Sequence, residues 1–407
     1  MAPVPIASDV SNDATDRDLE LLTGGDAGGM LDAALAAAGG TLQRWRARDV
    51  THHPGRGTTV SYEAKVRWTD GRSSTETMAA CTGKLPDGAL HLDDGTVRVA
   101  VWRFPHDPRL PGLAAASDPR AVAHLLDDLG FGLGPVRVRT RAYRPGRRAV
   151  IEAIGRGGRL FIKVVRPGHV EVLHHRHRLL VDAGVPAPQS LGWTADGLLV
   201  LQALQGRTLR EAMRGRLNAP PSGEAIAAML DRLPAEMVNG GRHRSWLDRV
   251  GHYATVVGAV VPDQAARVER LASTIAAEAG IGPTVPVHGD FYESQILVDG
   301  GRVCGVLDVD AARTGDRLDD LGCLIGHLSV LAQLDQARAG AINRLGARYL
   351  ASFERTVDAA DLRYRTAAVV ISLATGPHRV QDRNWPALTR RLIDLAERWL
   401  LSARAVR

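Results

Sequence analysis

Lysine is nearly missing from this chain. Only Lys65, Lys84 and Lys163 occur among 51 basic residues in 407, so arginine carries almost all of the positive charge. A general preference for arginine explains that bias without any function, and it makes each remaining lysine informative. Cysteine is scarce as well. Cys81, Cys304 and Cys323 are odd in number, far apart and set in apolar surroundings. That excludes a disulfide framework and is expected of reduced core thiols in a reducing compartment. No C-x-x-C or H-E-x-x-H occurs, so a structural zinc site has no support. The phosphate-binding signature G-x-x-x-x-G-K-[ST] is absent too, which leaves a Walker-type nucleotide site unsupported. No apolar run approaches the roughly 20 residues of a membrane helix. The stretch Met1-Ala2-Pro3-Val4-Pro5, leading into acidic Asp13 to Glu20, lacks the basic and apolar parts of an export signal. A cytoplasmic protein with no membrane partner is expected.

What is present fits a soluble protein of two or three domains, with 45% hydrophobic and 24% charged residues. A net charge of +6 raises the question of nucleic acid. The arginines are scattered rather than gathered in one patch, so no nucleic-acid partner is expected. Composition leaves the oligomeric state open.

Residues 1–29 are rich in Ala, Ser, Asp and Gly without steady periodicity and read as a mobile tail. Residues 30–133 read as an accessory α+β region. It has a short helix over Met30 to Ala38, strands over Gly57 to Trp68, Ser74 to Cys81 and Thr96 to Phe104, and a proline-initiated helix over Pro119 to Leu129. Gly130 to Gly134 reads as a linker. Residues 134–206 then carry three strands, Val136 to Tyr143, Ala149 to Ile154 and Leu160 to Val165, a helix over His169 to Ala183, and a strand over Leu198 to Leu201. His174-His175-Arg176-His177 mixes histidine with arginine and reads as a solvated helix face rather than a metal cluster. Residues 207–407 are mostly helical by apolar spacing. The turn His53-Pro54-Gly55-Arg56-Gly57 faintly echoes Arg144-Pro145-Gly146-Arg147-Arg148, a second cap sheet or a coincidence.

The most informative stretch is 287–310. Apolar runs Gln295 to Val298 and Val303 to Leu307 flank Asp299-Gly300-Gly301, strong hairpin-turn chemistry. Asp290 precedes the hairpin, Gln295 opens it and Asp308 closes it. Phosphoryl transfer needs an oriented hydroxyl, a carboxylate to accept its proton and oxygen ligands for Mg²⁺. Protein kinases supply these in H-R-D-x-x-x-x-N and a later metal-binding Asp. Here His288, Asp290 and Gln295 keep the spacing, with Asp308 downstream. Carboxylates on the ends of a solvated hairpin are the plain alternative.

The stretch resembles the catalytic segment of the aminoglycoside phosphotransferase and choline kinase superfamily, whose pattern is H-G-D-x-x-x-x-N. Gln295 replaces the Asn, as in the maltokinase and bacterial glucosamine kinase branch, and keeps an amide oxygen one methylene further out. Gly315-Asp316-Arg317-Leu318-Asp319-Asp320-Leu321-Gly322 is similar to the G-D-P-x-x-D-L-A of the broader group. The resemblance implies a bilobal protein kinase-like α+β fold, with a β-rich N-lobe, a mostly helical C-lobe and the additional N-terminal α+β cap.

It also implies roles. Asp290 would orient the acceptor hydroxyl and take its proton, and Gln295 and Asp308 would hold Mg²⁺. Lys163, inside the third N-lobe strand, would contact the phosphates of ATP with Glu171 as its partner. A lone strand lysine is ordinarily a surface residue, and Glu171 also suits a helix start by its charge alone. The turn with Arg144, Gly146 and Arg147 would cover the phosphates, and backbone atoms near Gln202, Ala203 and Leu204 would read adenine. Asp316 and Asp320 would be structural, the second by bonding the catalytic loop. Transfer of the γ-phosphoryl group to an aminoglycoside, amino sugar or other sugar is the implied activity. Glu293, Asp299, Asp310, Asp316 and Asp319 could attract a cationic acceptor. A non-catalytic nucleotide-binding protein of the same fold is the alternative.

Overall fold

The computed structural model describes residues 10–93, 95, 97–215, 220–241 and 244–407. The chain divides into two compact units. The first runs through Glu171 and takes in Leu191–Leu201 and His378–Arg383, so residues 30–133 and the following strands fall in one unit.

That unit begins with helices α1 (Val10–Thr23) and α2 (Ala27–Ala36). Residues 1–9 of the expected tail lie outside the described residues, but 10–23 and 27–29 are helical, joined by a turn. The reason is apolar anchoring: Leu22, Ala27, Leu31 and Leu35 are buried, and Tyr62 donates its hydroxyl to the Leu22 carbonyl at 2.7 Å. The helices cover a five-stranded sheet of β1 (Gly40–His53), β2 (Gly57–Trp68), β3 (Ser73–Cys81), β4 (Leu90–Asp93) and β5 (Arg98–Arg103). Its order is β1-β2-β3-β5-β4. Thr96, the expected start of the last strand, lies outside the described residues.

Helices α3 (Leu113–Ser117) and α4 (Pro119–Asp128) lead into a second sheet. Its strands are β6 (Arg137–Arg144), β7 (Arg148–Gly155), β8 (Gly158–Val165), β9 (Ser190–Trp193) and β10 (Leu198–Gln202), with α5 (Pro167–Asp182) between β8 and β9. Asp118 caps α4 by accepting the Arg120 amide at 3.1 Å. Leu110, Leu113, Val122 and Leu126 pack on Ile151, Ile162, Val164 and Val200.

The second sheet has order β6-β7-β8-β10-β9, the same pattern as the first. The echo between the two proline-glycine turns is therefore an echo of whole sheets. Both turns carry a left-handed glycine at the same place, Gly55 at φ 71° and Gly146 at φ 65°. In register, Lys163 pairs with Val150 and Cys81 pairs with Thr59, so buried Cys81 takes the place of the lysine in the first sheet.

The second unit holds Val172–Ser190, Gln202–Pro377 and Asn384–Arg407. It contains β11 (Arg207–Thr208), α6 (Leu209–Arg214), α7 (Gly223–Asp231), α8 (Trp246–Val260), α9 (Ala265–Glu278), β12 (Thr284–Val287), β13 (Ile296–Asp299), β14 (Arg302–Val306), β15 (Arg313–Asp316), α10 (Arg317–Leu334), α11 (Ala339–Phe353), α12 (Ala359–Leu373), α13 and α14 (Trp385–Arg404), although α13 (Gly376–Arg379) is shared with the first unit. Helix α7 ends short of Pro234, and a 3-10 turn over Ala235–Gly240 follows that proline.

Helix α10 is buried around most of its circumference and lies against α12. Gly322 and Gly326 make that approach possible. A Cβ on either would stand 2.7 Å from Arg365 or Val369 side-chain atoms.

Candidate active site

The loop that carries the site is closed by a short ladder. Strands β12 and β15 pair from Thr284↔Asp316 to Val287↔Arg313, so the chain leaves this ladder just before His288 and returns to it just after Asp308. Between them, β13 and β14 form the expected hairpin, with Asp299 paired to Arg302. Gly300 and Gly301 turn it at φ 51° and 80°, two successive positive values that only glycine adopts without strain.

Leu307 ties the site together through its backbone. Its N–H donates to the Gln295 carbonyl at 2.8 Å, and its carbonyl lies 2.8 Å from His288 Nε2. With the Nε2 proton donated there, Nδ1 is the acceptor that faces the Asp290 amide at 3.4 Å. His288, Asp290, Gln295 and Asp308 are thus brought into one constellation, with His288 wholly buried and Gln295 nearly so.

Asp308 itself sits in the left-handed region at φ 55°, ψ 49°. Among the described residues, only Gln381 shares positive φ without being glycine. Such a conformation costs roughly 1–3 kcal/mol and persists where the surroundings fix it, most often at functional sites.

Beneath the loop, Asp320 accepts the amides of His288 at 2.7 Å and Gly289 at 2.8 Å, the structural role expected of it. Burial pushes its carboxyl pKa up, against the opposing pull of His288 and the two amides. Asp316 caps α10 through the Leu318 amide, accepts the Gly282 amide and pairs with Arg365 at 2.7 Å. Asp319 accepts from Ser245 and from the Trp246 amide, and burial raises its pKa to about 6.

Glu293 is wholly buried and receives Arg210 at 3.0 Å. The second Glu293 oxygen is 3.9 Å from His327 Nδ1. Burial lowers the His327 pKa to about 3 and raises that of Glu293, so this contact is not an ion pair near neutrality. His327 also stacks on Tyr292, ring centres 4.1 Å apart. Glu293, Asp316 and Asp319 therefore do not offer charge at the surface, contrary to expectation; Asp299 is exposed and Asp310 half-buried.

In the first unit, Lys163 is buried on β8 while Glu171 is exposed on α5. The histidine cluster on α5 is less solvated than its composition suggests. His177 is buried with Nδ1 2.7 Å from the Pro188 carbonyl, and His174 Nδ1 is 2.8 Å from the Ser190 hydroxyl. Glu152 is also buried and pairs with Arg141 at 3.0 Å.

In the turn over Arg144 to Arg147, two backbone amides already have partners. The Gly146 amide is committed to Asp107 at 2.6 Å, and the Arg147 amide to the Arg144 carbonyl at 3.0 Å. That leaves the arginine side chains for any anion contact from this turn. Gln202 is similar: its amide donates to the Gln189 carbonyl at 2.9 Å, which leaves Ala203 and Leu204 for any backbone reading of a base.

Sequence reasoning missed Asp107, which is buried and accepts from Gly146, from Tyr143 at 2.9 Å and from the Arg109 amide at 2.9 Å. It lies in a stretch that reads as an irregular connector, and its nearest sequence signal is the Asp-Pro pair alone.

The phosphotransferase enzyme family matches residues 146–357. The chain belongs to that family. No curated protein matches it. Among solved structures, it is similar to a thermostable mutant of aminoglycoside phosphotransferase APH(4)-Ia. The likeness is at 16% identity and TM-score 0.50, over 67% of this chain and 97% of that one. Aminoglycoside phosphotransferase APH(3'')-Id from Streptomyces rimosus matches at 23% identity and TM-score 0.41, over 62% of this chain and 97% of its own. Macrolide 2'-phosphotransferase MphH from Brachybacterium faecium gives 19% and 0.41, over 68% and 97%. The first of these shows that the kinase-like fold is shared. This phosphotransferase is of mixed α and β structure, with its larger β-sheets early in the chain and most of its helices late. None of the described helices is long and apolar enough to cross a membrane.

Proposed function

We propose that this phosphotransferase moves the γ-phosphoryl group of ATP to a hydroxyl of an aminoglycoside, amino sugar or other sugar. Asp290 orients that hydroxyl and accepts its proton. The new bond joins the acceptor oxygen to the γ-phosphorus as the bond to the bridging oxygen of ADP breaks. Little covalent help is needed from the protein, so positioning carries the catalysis.

The observation that carries this reading is the left-handed Asp308, set behind a hairpin whose Leu307 is bonded to Gln295 and lies against His288. The donor set suits magnesium: an amide oxygen and a carboxylate are hard ligands, and Mg²⁺ completes its shell with phosphate oxygens and water. Gln295 and Asp308 would hold it, and when bound it would neutralise charge on the phosphates. Lys163 contacts the α- and β-phosphates, with Glu171 as its partner. The backbone at Ala203 and Leu204 receives the adenine. Asp299, exposed at the hairpin turn, supplies negative potential suited to a cationic amino sugar.

The test is product analysis after incubation with MgATP and a panel of aminoglycosides, amino sugars and maltose-like sugars. A phosphomonoester on one acceptor, with equimolar ADP, is expected. No phosphorylated product from any hydroxyl acceptor in a broad panel, with nucleotide still bound, would contradict the reading.

A further inference from the structure

The turn over Arg144 to Arg147 and strands β1 and β2 enclose a cavity of about 210 Å³ within the first unit. Its floor is one face of the first sheet. Asp49, Thr51 and His53 stand two apart along β1, and Thr59 is paired directly with Thr51 across β2. Alternate residues of a strand share a face, so this row is continuous. Arg144 and Arg147 come from the turn, Arg109 from the connector and Arg166 from the end of β8.

Two of these guanidinium groups are held by neutral carbonyls rather than by carboxylates. Arg166 spends its guanidinium on the neutral Gly146 carbonyl, through Nε at 2.9 Å and Nη2 at 2.7 Å. Arg109 likewise donates to a neutral carbonyl, that of Lys84. These bonds fix the two guanidinium groups without cancelling their charge. The floor carboxylate, Asp49, is already paired with Arg379 at 2.6 Å. Asp107 sits behind the turn and faces Gly146, Tyr143 and the Arg109 amide. Setting Asp107 against one of Arg109, Arg144 and Arg166 still leaves the cavity positive. A concave wall focuses such a field, and planar guanidinium groups match phosphate oxygens two at a time. The threonine hydroxyls add neutral donors that tolerate an oxyanion.

We propose that this cavity is a binding site for a phosphate group, separate from the nucleotide site. The ligand is either free inorganic phosphate or the phosphate of a small phosphomonoester. It would lie between the first sheet and the turn, and so give residues 30–133 a part in sensing phosphorylated metabolites.

The test is calorimetric titration of the full-length chain, free of nucleotide, with inorganic phosphate and separately with glucose 6-phosphate. Saturable binding of either at one site is expected, and the tighter of the two identifies the source. Thr59→Glu places a carboxylate in the floor, and Arg109→Ala removes one guanidinium; each should weaken binding by about tenfold or more. Melting in the absence of phosphate shows which variants fold, and Arg109→Ala decides the matter if Thr59→Glu does not. Lys163→Ala should leave phosphate binding unchanged. The proposal fails if neither anion saturates, or if Arg109→Ala binds as tightly as the wild type. It fails too if Lys163→Ala abolishes binding, because the anion would then occupy the nucleotide's own phosphate site. All of these readings are made without turnover, so they stand apart from the proposed phosphoryl transfer.

Discussion

The carboxylate of Asp320 holds the backbone of His288, accepting its N–H at 2.7 Å from a position 32 residues further along the chain. The other Asp320 oxygen holds Gly289 at 2.8 Å. Asp320→Asn keeps one of these acceptors and leaves a buried amide unpaired. A loss of about 1–3 kcal/mol in unfolding free energy is expected, together with a fall in kcat. Denaturant unfolding checks the first, steady-state kinetics the second. A variant of wild-type stability would show that the two bonds do not fix the loop.

Asp308 separates stability from activity. Its positive φ is costly for aspartate and free for glycine. Asp308→Gly should therefore fold at least as stably as the wild type, and Asp308→Ala less stably, yet neither should transfer phosphate. Comparing melting temperatures with turnover tests both halves. An active Asp308→Ala would remove this residue from the proposed metal site.

Gln295 is nearly buried, so its replacements must respect volume. Gln295→Leu keeps the bulk without the amide oxygen and should abolish turnover. Gln295→Asn withdraws that oxygen by one methylene. The magnesium concentration for half-maximal rate should rise, with kcat held within about tenfold. Equal magnesium dependence in all three proteins would contradict the assigned ligand.

The hairpin and its carboxylates were legible because their signals are local. Asp299-Gly300-Gly301 states its turn in adjacent residues, and Lys163 stands out where lysine is rare. The role of Asp320 came from a motif, and its bonds to His288 and Gly289 agree. What was not legible depends on partners distant in sequence. Strand β1 hides its alternation because bulges between Leu42 and Arg44 and between Ala47 and Asp49 shift its phase. Strands β12 and β15 are four residues each and exist through their pairing. Helix α1 has weak apolar periodicity and is anchored by Leu22 on Tyr62. Asp107 gained its meaning from Gly146, 39 residues away.

His378 makes a pH prediction. Burial, and secondarily the charge of His52, depress its pKa to about 4 from 6.5. The folded chain then holds this imidazole neutral where the unfolded chain protonates it. Its contribution to stability is full above about 6.5 and is lost as pH falls towards 4. His378→Gln should flatten this acid slope. Unfolding midpoints of both proteins between pH 7.5 and 4.5 check it; parallel curves would contradict it.

In the proposed reaction, Asp290 accepts the acceptor's proton during phosphoryl transfer. The most direct test is ADP release with MgATP and the acceptor identified by the panel, comparing the wild type with Asp290→Asn. Loss of kcat by about a hundredfold or more is predicted, with the rise in melting temperature on adding MgATP preserved. Wild-type turnover by Asp290→Asn would contradict the account.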